Sequence, residues 1–65
     1  MSDIKLLDRY RVDRADGVTS IGPEKLVILI LKPNGEKEIS FAISKMDAML
    51  ISMQLASAAT EVQAG

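Results

Sequence analysis

The run Leu26-Val27-Ile28-Leu29-Ile30-Leu31, bounded by Lys25 and Lys32, constrains this chain more than any other feature. Six residues are far short of the ~20 a membrane span needs. A short β-branched and leucine run between turn-forming residues reads as a strand. A strand points successive side chains to opposite faces. Here both faces are apolar, with Leu26, Ile28 and Ile30 on one and Val27, Leu29 and Leu31 on the other. Such a strand needs cover on both sides.

The rest of the chain is short of material to supply that cover. It has 65 residues, which fits a single domain spanning 1–65. A chain of this size buries only roughly 60% of the surface its unfolded form exposes. Small domains offset this with disulfides, metals or oligomerisation. There is no cysteine and no histidine, so disulfides and the usual zinc ligands are ruled out. Self-association is the support that remains.

Around the central run, Pro33-Asn34-Gly35 closes a turn, and the residues after it alternate. Ile39, Phe41 and Ile43 point one way, and Glu38, Ser40 and Ala42 the other. A hairpin over residues 25–43 follows. Upstream, residues 4–12 form a strand, with Ile4, Leu6, Tyr10 and Val12 on one face and Asp8 interrupting. Asp16-Gly17 supplies a turn over residues 13–17. Residues 18–21 offer a brief further strand before Gly22-Pro23 breaks it. The sequence leaves open whether residues 13–24 are a strand-containing hairpin or a mobile loop.

Ser44 is placed as a helix N-cap with Asp47 three residues on, where a capping box has its acid. A helix over residues 45–60 follows, with residues 61–65 as a frayed tail. The fold class is therefore α+β: a small antiparallel meander of three or four strands followed by one C-terminal helix. Which sheet face the helix covers is open at this stage.

On a helical wheel, Met46, Met49, Met53 and Ala56 form one stripe, and Ala48, Ile51, Leu55, Ala58 and Val62 a second. This arc is wider than the ~100° a helix needs to sit on one sheet. Excess apolar surface thus appears on both the sheet and the helix, as at interaction sites. The expected interface draws on Val27, Leu29, Leu31, Met46, Met49, Met53, Ile51 and Leu55. The expected partner is a second copy, a dimer being favoured, or another protein. The plainer alternative is that Met46, Met49 and Met53 are core residues facing Phe41.

Catalytic chemistry finds no residues to carry it. A serine nucleophile would need a lysine base, and the neighbours Ser44 and Lys45 do not face each other on a helix. Residues 13–17 do not match a calcium loop, because Val12 and Arg14 stand at ligand positions. Gly17, Gly22 and Gly35 lie in separate segments, so no phosphate-cradling loop forms. No enzyme activity and no cofactor are expected. A lesser alternative is a nucleic-acid-binding regulator using Arg9, Arg11 and Arg14 on a dimeric sheet. The net charge of −1 and the interleaved Asp8, Asp13 and Asp16 weigh against it. The composition suggests a cytoplasmic protein with no membrane partner, because cysteine is absent and no apolar segment follows a basic start.

Overall fold

The computed structural model describes residues 3–64. Strand β1 (Leu7–Val18), strand β2 (Pro23–Pro33) and strand β3 (Ile39–Ile43) form one antiparallel sheet in the order β1-β2-β3. Helix α1 (Lys45–Ala64) follows. This is the α+β meander-plus-helix that the sequence implies, with three strands.

The first hairpin is longer than its sequence suggests. Residues 13–17, read as a turn, are strand, and the strand pairs as far as Val18 with Pro23. Gly17 pairs with Glu24 and does not take a positive φ. Its missing β-carbon serves packing instead, because a Cβ there would collide with the side chain of Leu26. The brief strand expected at 18–21 is replaced by the turn itself. Thr19 and Gly22 exchange two backbone hydrogen bonds, N–H to O at 2.9 and 3.1 Å. The Thr19 hydroxyl accepts from the Ile21 amide at 3.2 Å, and Gly22 takes the positive φ of 133°. Pro23 then opens β2, where a missing N–H is tolerated at a strand start.

At the other end of β1 the register slips between Leu7 and Arg9. Asp8 is the extra residue of this irregularity, and it is also the residue that interrupts the period-two pattern. The strand begins at Leu7 rather than at residue 4. The Leu6 carbonyl nevertheless accepts from the Asn34 amide at 2.8 Å, and Lys5 pairs with Glu36. The second turn has Glu36 N–H bonded to Pro33 O at 3.1 Å, with Gly35 at φ 81°. A positive φ at the third turn position is the type II requirement, which glycine meets without strain.

Ser44 alone links β3 to α1. Its Oγ accepts from the Asp47 amide at 3.1 Å, capping the first turn as expected. The helix runs on through residues 61–64, which were expected to fray. The run Ala58-Ala59 and the following Glu61, Gln63 and Ala64 are compatible with continued helix. Gly65 lies outside the described residues.

Register assigns the faces. Tyr10, Val12 and Arg14 of β1 lie opposite Leu31, Leu29 and Val27, which in turn lie opposite Ile39, Phe41 and Ile43. The opposite face carries Arg9, Arg11, Asp13 and Ala15, then Lys32, Ile30, Ile28 and Leu26, then Ser40 and Ala42. Helix α1 lies on the first face. Ala48, Ile51, Ser52 and Leu55 line a gap of about 240 Å³ together with Val12, Val27, Leu29 and Ile43.

The fold is open. Its radius of gyration is 14.3 Å, where a compact chain of this length has about 11 Å. The accessible surface is 5797 Å², against about 4,100 Å² for a compact monomer of this mass. Ile30, at 6% exposure, is the one buried hydrophobic among the described residues.

Candidate interaction surface

Ile30 is sheltered on the face away from the helix. Its neighbours across the sheet are Arg11 and Ser40. Arg11 Nη2 lies 3.6 Å from Glu38 Oε1. Arg11 is on β1, and Glu38 immediately precedes β3. This pair therefore reaches across the whole width of β2 beside Ile30, and the arginine stem adds apolar cover. Lys32 Nζ pairs with Asp8 Oδ2 at 3.4 Å and Lys25 Nζ with Asp16 Oδ1 at 2.7 Å. The Lys25–Asp16 pair is largely exposed and contributes little, whereas Lys32 is half-buried beside its partner.

On the helix-facing side no described residue is as buried as Ile30. Tyr10 and Val12 are 68% and 60% exposed, and Ile39 and Phe41 are exposed as well. Val27, Leu29 and Leu31, the expected sheet contribution, are half-buried. Val27 and Leu29 lie under the helix, while Leu31 sits toward the far end with Leu6, Pro33 and Ile39 along a shallow groove.

On α1 the two stripes separate. Ile51 and Leu55 face the sheet, though Leu55 remains 66% exposed. The stripe of Met46, Met49 and Met53 turns about 150° away on the wheel and is 65%, 60% and 67% exposed. The alternative of a methionine core against Phe41 is not what forms. Every residue from position 52 to 63 is exposed. A helical segment of that length is marginal in water by itself.

The three arginines do not gather into one patch. Arg9 and Arg11 share the face away from the helix, whereas Arg14 lies on the helix side opposite Val27. Arg11 is engaged by Glu38, and the Lys32 beside Arg9 is engaged by Asp8. Asp13 lies on the same face as Arg9 and Arg11. Among the described residues no group of three or more carboxylates is placed to hold a metal ion. Among the described residues no helix is long and apolar enough to cross a membrane.

The two outer strands differ sharply. β1 carries Asp8, Arg9, Arg11, Asp13, Arg14 and Asp16 along its twelve residues. β3 is Ile-Ser-Phe-Ala-Ile and has no charge, no proline and no register irregularity. Comparison of the chain with protein-family models, with curated proteins and with solved structures finds no match in any of the three.

Proposed function

We propose that this protein is a non-enzymatic structural or interaction module that associates with copies of itself through its helix and the helix-facing side of its sheet. The observation that carries this reading is the surface excess. The chain exposes 5797 Å², about 1,700 Å² more than a compact monomer of its mass. Covering that excess in a pair would bury about 3,400 Å² in total, within the range of obligate dimers. The residues concerned include Tyr10, Val12, Phe41, Met46, Met49 and Met53. Methionine suits this use, because its flexible thioether side chain fills irregular contacts. The lack of cysteine fits a reducing compartment such as the cytoplasm.

The test is absolute mass by light scattering after size exclusion, across a hundredfold dilution. A dimer or larger species that dissociates only at low concentration is the expected result. A folded monomer at every dilution overturns the reading.

A further inference from the structure

We infer that one contact of this assembly is the outer edge of β3, which pairs antiparallel with β3 of a second copy to make a continuous six-stranded sheet. The inference rests on the self-association reading and names the edge that joins the copies.

The argument starts from what an open sheet edge exposes. An edge strand presents a row of unpaired N–H and C=O groups, and folded proteins protect such rows with charges, prolines and bulges. β1 has that protection: six charged residues and a register slip at Asp8. β3 has none of it, and Ile39, Ser40, Phe41 and Ala42 are all exposed. The sheet thus has one guarded edge and one open edge.

Geometry favours a second copy as the occupant. An antiparallel strand pair is self-complementary under a two-fold axis normal to the sheet, so an identical strand matches every donor with an acceptor. The same axis keeps faces together. Ile39, Phe41 and Ile43 meet their counterparts on the helix side, and Ser40 and Ala42 meet theirs on the other. Aromatic and β-branched residues facing one another across strands are the favourable cross-strand set. They also include Ile39 and Phe41, which the protein's own helix leaves 44% and 47% exposed. The two helices then stand on one face of the joined sheet, with both methionine stripes on that side.

The experiment uses charge on the side of the sheet away from the helix. Side-chain alternation makes even-numbered β3 residues face even-numbered ones in any register that preserves the faces. S40K/A42K therefore sets lysines against lysines, and S40E/A42E sets glutamates against glutamates. We expect wild type to be associated, each variant alone to show at most half the wild-type mass, and an equimolar mixture to recover that mass. Retention of the wild-type mass by S40K/A42K alone overturns the edge pairing while leaving self-association standing. A monomeric wild type overturns both. Should either variant lose its β-sheet circular dichroism, amide exchange in wild type decides. Slow exchange at all five residues of β3 supports the pairing. Alternate β3 amides exchanging as fast as the outward amides of β1, in an associated wild type, overturn it.

Discussion

Gly17 and Leu26 fit together across the first hairpin: the leucine side chain occupies the space that a β-carbon at position 17 would fill. Gly17 has no positive φ, so its role is steric and not conformational. G17A should therefore stabilise by less than about 0.5 kcal/mol or not at all, because the end of the half-buried Leu26 side chain must turn aside and offsets the usual gain of replacing a strand glycine. In an L26A background the same change should stabilise by about 0.5 kcal/mol, since only the backbone term remains. Urea unfolding of the four proteins at one matched concentration gives the cycle. Equal effects of G17A in both backgrounds would show that the two positions are not coupled.

The two turn glycines should respond differently. Gly22 has φ 133° and Gly35 has φ 81°. The first lies where side chains are strongly disfavoured, and the second near the left-handed region that asparagine visits. G22A should cost about 1–3 kcal/mol, and G35N less than about 1 kcal/mol. Thermal melts at equal concentration check the ranking.

Ser44 both links and caps. Removing its Oγ frees the Asp47 amide bonded to it at 3.1 Å. S44A should cost about 1 kcal/mol. The loss should appear as earlier melting of the helical signal at 222 nm, with the sheet signal less affected.

The methionine stripe and Leu55 test association in different ways. M49K/M53K alters residues that are 60% and 67% exposed, so the monomer fold should survive. The rise of melting temperature with protein concentration, expected for a self-associating fold, should be reduced or lost. L55E is expected to lower stability as well, because Leu55 lines the gap over Val27 and Leu29. Melting curves across a hundredfold concentration range separate the two behaviours. An unaltered concentration dependence in M49K/M53K would remove that stripe from the interface.

Alternation and punctuation made the later half of the fold readable. The turn at Asn34-Gly35, the β3 pattern and the Ser44 cap each rest on a local signal that tertiary context leaves intact. The first hairpin departs from its sequence pattern because Asp16-Gly17 matches a turn signal while Gly17 is used as a packing gap. The working turn depends on the Thr19 hydroxyl and Gly22, a pattern with a weaker sequence signature. Asp8 was visible as an interruption, but only the pairing identifies it as the slip between Leu7 and Arg9. Of the candidate surface, the existence of two apolar helix stripes was readable from spacing. Which stripe faces the sheet was not, because both satisfy the same periodicity and only the direction in which the helix leaves Ser44 distinguishes them.

The position of Ile30 bears on how the two faces of the sheet respond to dilution. The residues that dry it, Arg11, Glu38 and the flanking strands, all precede α1 in the chain. The helix packs on the opposite face and contributes little to protecting that centre. On the proposed self-association, dilution should act on the two parts unequally: the helix would lose the cover of other copies, whereas the Arg11–Glu38 pair beside Ile30 is set within each chain.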